Sequence, residues 1–220
     1  MNVCLLQHTH LPEELVWQAA RTCYSAGPPT QLKVVSRDKK ADLIRRVLKS
    51  GHLSVLEHVN FSFAIEGVSR ILSHQLVRHR LASYSQQSQR YVKADNPEYV
   101  MPDSIEQDTA MQWVYERHMI ACWNLYAEFV KNGIPAEDAR FVLPNAAQTH
   151  LVMSMNAREL LHFFEKRCCK RAQWEIREMA ERMLTLCKTA APVLFENAGA
   201  PCVSKGVCKE VDTCGMPTKK

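Results

Sequence analysis

The order of helical and strand-like stretches along the chain constrains its fold most. Apolar residues recur at helical spacing over residues 12–23, and again between Ser36 and Gly51. Residues 59–65 then alternate between apolar and polar, as in a half-buried strand that Gly67 is expected to end. Helices and isolated strands therefore follow one another without the regular alternation that a parallel α/β sheet requires.

The rest of the chain continues this pattern. The further elements we predict are a helix from Ser69 to about His79, an ordered polar loop over 83–90, helices over 104–131 and from Pro135 to near Pro144, a strand over 149–155, a helix from its cap Asn156 to about Cys169, and a helix over 173–195. The predicted class is α+β, a single domain of long helices packed on a small, mostly antiparallel sheet.

Composition narrows the range of functions. The 220 residues favour one domain, and 28 Lys and Arg against 23 Asp and Glu give a charge of +5, too small for a dedicated nucleic-acid binder. We find no export leader and no run of about 18 apolar residues, so we expect a cytoplasmic protein that does not enter a membrane. The nine cysteines are an odd number, and we interpret most of them as reduced.

The densest group of polar side chains lies between Gln75 and Arg90. On a helix, Gln75, Arg78 and His79 would project from one face. Arg78, Arg80 and Arg90 can each offer a planar set of donors to a phosphate, which predicts a site for a phosphorylated ligand. The alternative is that this basic group only complements the carboxyl end of a helix and faces water.

The spacing within this group indicates a family. Arg78-His79-Arg80, seven further residues, Ser88 and then Gln89-Arg90-Tyr91 resemble the signature of the flavin-dependent thymidylate synthases. Further similar motifs are Thr22-Cys23-Tyr24-Ser25, the stretch GHLSVLEH over residues 51–58, Asp138-Ala139-Arg140 with Leu143-Pro144, Asn156-Ala157-Arg158-Glu159-Leu160, Arg167, and Ala172-Gln173-Trp174-Glu175. The resemblance covers residues 1 to about 195.

The resemblance implies a function and a set of ligands. The protein would be a homotetramer with shared active sites that methylates dUMP to dTMP, using FAD, NADPH and 5,10-methylenetetrahydrofolate. Residues 1–199 would form the catalytic domain and 200–220 a cysteine-containing tail outside the core. By the same resemblance, dUMP would be bound by Gln75, Arg78, Gln86, Gln87, Ser88, Gln89, Arg90, Arg140 and Arg167. FAD would be bound by Ser54, Arg78, His79, Arg80, Gln86, Asn156, Arg158 and His162.

Within this set we assign catalysis to Arg167. A guanidinium beside the uracil would lower the pKa of N3 and stabilise negative charge on the ring, which makes carbon 5 more nucleophilic. Ser88 would bind the nucleotide rather than attack it, because the arginines around it are poor general bases. No cysteine lies in a recognisable catalytic setting. Gln86 stands where many relatives carry Glu, so a role that needs a carboxylate there is not expected.

Other interpretations remain open from the sequence. His52, Glu57 and His58 could bind a metal or simply pack, and the evenly spaced Cys202, Cys208 and Cys214 could bind a metal or respond to oxidants. We expect no metal site. The apolar residues of the helix over 104–131 predict core or subunit packing. The competing functions are a single-stranded nucleic-acid or nucleotide-binding module with Tyr84 and Tyr91 in a basic groove, and a metal-dependent regulator using the tail.

Overall fold

A four-stranded sheet organises the molecule. The computed structural model describes residues 1–94, 96–208 and 210–215. The strands are β1 Asn2–His8, β2 Asn60–Ser69, β3 Ala82–Gln86 and β4 Gln148–Asn156. They are hydrogen-bonded in the order β1-β2-β4-β3 and form an antiparallel sheet. This arrangement, with helices between the strands, confirms the α+β class and the antiparallel sheet.

Helices of very different lengths connect the strands. They are α1 Pro12–Thr22, α2 Arg37–Ser50, α3 Arg70–Leu76, α4 Asp103–Glu106, α5 Thr109–Lys131, α6 Ala136–Ala139, α7 Ala157–Arg167, α8 Trp174–Ala190 and α9 Pro201–Ser204. Short 3₁₀ helices cover Pro29–Gln31, Leu53–His58 and Arg140–Val142. Over the described stretches, none of the helices combines the length and the apolar character needed to cross a membrane.

Three of the predicted helix boundaries are confirmed by their cap geometry, whereas Ser36, which precedes α2, makes no side-chain cap hydrogen bond to the described residues. Ser69 Oγ accepts a hydrogen bond from the Leu72 N–H at 3.0 Å and starts α3. Asn156 Oδ1 accepts from the Glu159 N–H at 2.9 Å and starts α7. Gly51 has φ 76°, a left-handed conformation in which glycine commonly ends a helix, and α2 ends there. Local side-chain chemistry therefore defines these boundaries.

Several predicted boundaries are wrong. Strand β2 continues through Gly67, with φ 65°, to Ser69, and the loop predicted over 83–90 begins as strand β3. The long helix starts five residues later than expected, because Asp108 Oδ1 accepts from the Ala110 and Met111 N–H groups at 3.0 and 3.2 Å and caps α5. Helix α8 ends at Ala190 instead of continuing to residue 195.

The tail after Gly199 was expected outside the core, and this is wrong for its first residues. Ala200 and Cys202 are buried, and Cys202 belongs to helix α9. Cys202 of this short helix is therefore packed, whereas Val203 is 52% exposed. So few apolar residues cannot produce a periodic pattern in the sequence. Lys209 and residues 216–220 of the predicted tail lie outside the described residues.

The chain divides into two compact units, and four of the five boundaries between them fall inside the strands. Unit 1 comprises Met1–Asn2, Ile65–Arg78 and Ser85–Leu151, and unit 2 comprises Val3–Ala64, His79–Tyr84 and Val152–Lys220. In unit 2, Phe61 and Phe164 both meet the ring of Phe195 edge-on, at centroid distances of 5.4 and 5.9 Å. In unit 1, Met119 and Trp123 of α5 pack with Ala147. Each unit therefore has its own apolar core.

Candidate active site

The predicted site residues fall into two groups. Unit 2 contains Ser54, His79, Arg80, Asn156, Arg158, His162 and Arg167. Unit 1 contains Gln75, Arg78, Gln86, Gln87, Ser88, Gln89, Arg90 and Arg140. Most of the residues expected to bind FAD thus belong to unit 2, and most of those expected to bind dUMP belong to unit 1.

His79 is the centre of the polar group in unit 2. Its imidazole is 7% exposed and lies edge-on to the Phe163 ring at a centroid distance of 4.9 Å. Arg167 Nε donates to His79 Nε2 at 3.0 Å, and His79 Nδ1 lies 3.4 Å from Glu159 Oε1. Two predicted site residues separated by 88 positions, His79 and Arg167, are therefore in direct contact.

This contact determines the protonation of His79. Nε2 must present a lone pair to Arg167, so the proton of the neutral ring is on Nδ1 and is directed toward Glu159. Burial, with smaller contributions from the positive charges of Arg167 and His162, lowers the pKa of His79 to about 4. The His79–Glu159 contact is therefore a hydrogen bond of a neutral imidazole rather than an ion pair at neutral pH.

Two residues of this group, Tyr84 and Glu159, were not among the predicted flavin or dUMP ligands. Tyr84 donates its hydroxyl proton to the His79 carbonyl oxygen at 2.8 Å, and burial raises the pKa of this phenol, so it stays protonated. Burial also raises the pKa of Glu159, at the start of α7. Both residues fix the position of His79, one through the backbone and one through the ring. Glu159 was visible only as part of the Asn156–Leu160 motif.

Among the described residues, one group of side chains has the spacing of possible metal ligands. Ligand atoms of His79, Glu159 and His162 lie within 4.8 Å of one another, a distance that would allow them to bind a cation. The guanidinium of Arg167 on His79 disfavours a divalent cation there, because like charges repel. Within residues 1–94, 96–208 and 210–215, no comparable group forms around His52 and His58 or among the tail cysteines.

A cavity of about 1050 Å³ opens in unit 2. Asn156, Arg158 and His162 line it together with Leu53 and Leu81, which are the sequence neighbours of Ser54 and Arg80. Arg158 Nη1 donates to Glu57 Oε1 at 2.5 Å. The size and the mixture of leucine walls with a few polar groups fit a ligand as large as FAD, with apolar surface for the ring system and donors for the phosphates.

In unit 1, two predicted dUMP ligands, Arg90 and Arg140, both contact Glu137. Arg90 Nε donates to Glu137 Oε2 at 2.8 Å, and Arg140 Nε donates to the Glu137 backbone oxygen at 2.9 Å. Burial, followed by the charge of Arg140, lowers the pKa of Arg70. Arg70, which the sequence analysis missed, thus adds a third positive charge to this group, and such a concentration of arginines suits an anionic ligand.

The loop before Arg90 is held by local hydrogen bonds. Ser88 Oγ accepts from the Arg90 N–H at 3.2 Å, and the Gln87 N–H donates to the His150 carbonyl oxygen at 2.9 Å. Gln86 Nε2 donates to Thr149 Oγ1 at 3.1 Å, a bond that an ionised Glu could not donate. Gln87, Ser88 and Gln89 line a second, smaller cavity of about 210 Å³ within unit 1.

The expected shared helical face of Gln75, Arg78 and His79 is wrong. Helix α3 ends at Leu76, before both basic residues, so the three-and-four spacing does not apply to them. Arg78 Nη2 lies 3.0 Å from His74 Nε2. The residues remain neighbours in sequence, but a turn rather than a helix sets their directions.

Comparisons with known proteins assign the chain to a family. The family model described as "Thymidylate synthase complementing protein" matches residues 4–193. The flavin-dependent thymidylate synthase of Geobacter sulfurreducens is 51% identical over 98% of this chain and 94% of its own length, and that of Pyrococcus furiosus is 40% identical over 96% and 91%. A crystal structure of the UMP/dUMP methylase PolB from Streptomyces cacaoi, bound with 5-Br dUMP, shares the fold, with a TM-score of 0.80 at 24% identity over 89% of this chain and 93% of its own. On its identity to these relatives over nearly its whole length, the chain belongs to the flavin-dependent thymidylate synthase family.

Proposed function

We propose that this protein catalyses the reductive methylation of dUMP to dTMP. The observation that carries the proposal is the buried contact of His79 with Arg167, which joins two motifs of the family in one polar group. FAD, when bound, would supply hydride transfer after reduction by NADPH, and 5,10-methylenetetrahydrofolate would supply the carbon. The protein would supply binding, orientation and electrostatic stabilisation.

The cavity of unit 2 is the proposed flavin site. Asn156, Arg158 and His162 supply polar groups along its wall, and Ser54, His79 and Arg80 follow from the family motifs, as do Arg78 and Gln86 of unit 1. The neutral imidazole of His79 avoids placing another cation beside Arg167. This arrangement would retain the flavin without the glycine-rich turn of a dinucleotide-binding fold.

The arginine group of unit 1 is the proposed site for the phosphate of dUMP. Arg90 and Arg140 are the predicted ligands, and Arg70 increases the positive charge around them. A phosphate can take the place of Glu137 on Arg90, because exposed ion pairs contribute little stability and phosphate accepts several hydrogen bonds. Gln75, Arg78, Gln86, Gln87, Ser88 and Gln89 complete the proposed nucleotide ligands.

Arg167 is proposed to act on the pyrimidine. Its Nε is fixed by His79, which sets the plane of the guanidinium, and its positive charge would stabilise the anionic form of the uracil ring. Ser88 is a hydrogen-bonding ligand in this scheme, since its Oγ accepts from a backbone N–H. Burial raises the pKa of Cys168, next to Arg167, to about 12, so a thiolate nucleophile is disfavoured at this position.

A homotetramer with shared active sites is the proposed assembly. Met111, Trp113, Val114 and Ile120 on helix α5 are each about half exposed, a concentration of apolar surface that is typical of subunit contacts. Tyr91 and Phe141 are also exposed aromatic residues typical of a subunit contact. They follow the predicted ligands Arg90 and Arg140 directly in the sequence. A cytoplasmic location without nucleic-acid or membrane partners accords with dUMP and folate as substrates.

The competing nucleic-acid groove is less well supported. It needs Tyr84 and Tyr91 as stacking platforms, but the Tyr84 hydroxyl is directed to the His79 backbone and the ring is half-buried. Of the two aromatic rings, Tyr91 alone remains strongly exposed.

The direct test is product formation. Purified protein should be yellow, NADPH should bleach it without oxygen, and addition of dUMP and 5,10-methylenetetrahydrofolate should yield dTMP. A colourless protein that forms no dTMP after incubation with FAD would refute the proposal. Oligomeric state is measured separately by light scattering, with a mass near four times 25.2 kDa expected.

A further inference from the structure

The wall of the unit 2 cavity extends beyond the part of the chain that the family model matches. The match ends at residue 193, whereas Gly199, Ser204 and Lys205 also line the cavity. Ser204 and Lys205 belong to the segment 200–220 that was predicted to lie outside the core, and Gly199 directly precedes it. The cavity therefore has a wall built from the tail.

This tail segment is anchored. Gly199 and Gly206 flank it with φ 133° and 69°, conformations that glycine adopts readily and that turn the chain on either side of α9. Between them, Ala200 and Cys202 are buried. Lys205 is thus carried on a segment with its own apolar anchor, and its side chain remains 58% exposed.

The charges that line the cavity are balanced. The lining contains the cations Arg45, Lys49, Arg158 and Lys205 and the carboxylates Glu57, Glu159, Glu165 and Glu196. Three ion pairs join members of these sets: Arg158 with Glu57 at 2.5 Å, Arg45 with Glu196 at 2.9 Å and Lys205 with Glu165 at 3.1 Å. An anionic ligand must therefore displace a carboxylate from a cation, which costs little where the pair is exposed.

Lys205 is the remaining candidate for such an exchange: its side chain is 58% exposed, and that of Glu165 is 21% exposed. Its partner Glu165 follows His162 by three residues on α7, so both side chains lie on the helix face that lines the cavity. Arg158 already belongs to the predicted flavin ligands, and Arg45 also pairs with Asp42 at 3.4 Å. Lys205 is paired with Glu165, one helical turn from His162. Its flexible side chain can therefore reach a ligand that contacts His162.

We infer that Lys205 binds a phosphate of the nucleotide that occupies this cavity. On binding the phosphate, Lys205 would leave its ion pair with Glu165. The inference rests on the proposed function for the identity of the nucleotides. The phosphate can belong to the flavin dinucleotide or to NADPH, and the two sources give different results in binding and kinetic measurements.

The experiment compares the full-length wild-type protein with Lys205→Ala, Lys205→Arg and Lys39→Ala. Lys39 is an exposed lysine of α2 outside the cavity lining and serves as the matched control. After removal of bound flavin, each protein is titrated with FAD and with riboflavin, which has the same ring but no phosphate. KM values for NADPH and NADH follow on the reloaded enzyme, and thermal unfolding confirms that each variant is folded.

A flavin phosphate at Lys205 predicts about tenfold weaker FAD binding in Lys205→Ala, unchanged riboflavin binding, and recovery in Lys205→Arg. A phosphate of NADPH predicts unchanged FAD binding and about a tenfold higher KM for NADPH. The change for NADH should be much smaller if Lys205 binds the 2′-phosphate, which NADH lacks, and equal if it binds the pyrophosphate, which both carry. Equal losses for FAD and riboflavin, or no change in either measurement, would overturn the inference. A wild-type protein that binds no flavin would instead refute the proposed function.

Discussion

The two groups of predicted site residues differ in burial and in the partners that their charged side chains have in the absence of ligand. In unit 2, His79 is buried and Arg167 is partly buried, and the pKa of His79 falls to about 4 as a consequence. In unit 1, Arg90 and Glu137 form an ion pair in which both side chains are about half exposed. Burial makes the first group electrostatically strong and hard to rearrange, whereas the second can exchange partners at little cost. We therefore expect substitutions in unit 2 to affect chemistry and stability, and those in unit 1 to affect binding.

The largest effect is expected for Arg167→Ala. Loss of the guanidinium removes stabilisation of negative charge on the pyrimidine, so kcat should fall by about a thousandfold, while the flavin content should stay close to that of wild type. Steady-state kinetics and the ratio of flavin absorbance to protein measure the two quantities. Lys166→Ala, the exposed neighbour on α7, is the control and should behave like wild type. An Arg167→Ala enzyme with ordinary kinetics would contradict the assigned role.

His79→Gln should change how stability depends on pH. The folded pKa of about 4 lies below the unfolded value of about 6.5, so the unfolded state takes up the proton first as pH falls. Stability is complete above about pH 6.5, and about 3 kcal/mol should be lost between about pH 6.5 and 4. His79→Gln should remove most of this loss.

Urea unfolding at pH 7.5 and 4.5, with flavin-free protein, measures the effect. His10→Gln, at an exposed histidine, is the control and should keep the wild-type difference between the two pH values. If His79→Gln loses as much stability as wild type on acidification, the buried neutral imidazole does not account for the pH dependence.

Arg90→Ala should act mainly on binding. The KM for dUMP should rise by about ten- to a hundredfold, with a smaller change in kcat, because a phosphate contact is made in both the ground and the transition state. Arg182→Ala removes another exposed arginine paired with a glutamate, Glu178, and should leave KM unchanged. If Arg90→Ala instead lowers kcat and leaves KM unaltered, the assignment of binding to unit 1 and of chemistry to unit 2 is wrong.

Ser88→Ala should have the smallest effect. A hydrogen-bonding ligand contributes about 1 kcal/mol, so activity should fall by no more than about tenfold. The comparison is with Ser85→Ala on strand β3, a nearby exposed serine. A folded Ser88→Ala enzyme that binds dUMP and FAD but has lost all turnover would revive the covalent role.

The sheet shows why part of the fold could be predicted and part could not. The central strands β2 and β4 have apolar residues on alternate positions, and both were predicted. The edge strands β1 and β3 were missed, because an edge strand has one neighbour and carries polar or exposed residues on both faces, as in Ala82–Gln86. Caps were predictable because Ser69 and Asn156 act within three residues of themselves.

The candidate site shows the same limit. His79 and Arg167 were identified by their place in motifs, but their contact depends on a separation of 88 residues that no local pattern encodes. Glu159 was missed because a carboxylate in the first turn of a helix is also expected for favourable interaction with the helix dipole. Arg70 was missed because its basic neighbour, Arg140, lies 70 positions along the chain.

The positions of the unit boundaries inside the strands also bear on synthesis of the chain. The core of unit 1 around Met119 and Trp123 comes from one stretch of chain, whereas unit 2 joins residues near the amino terminus to Val152–Lys220. The ribosome must therefore synthesise the chain past Phe195 before all the partners of Phe61 exist. Folding should be slow, because the long loop between these residues must close before packing stabilises it. The nascent chain should expose β2 to aggregation or to chaperones until Phe195 has been made.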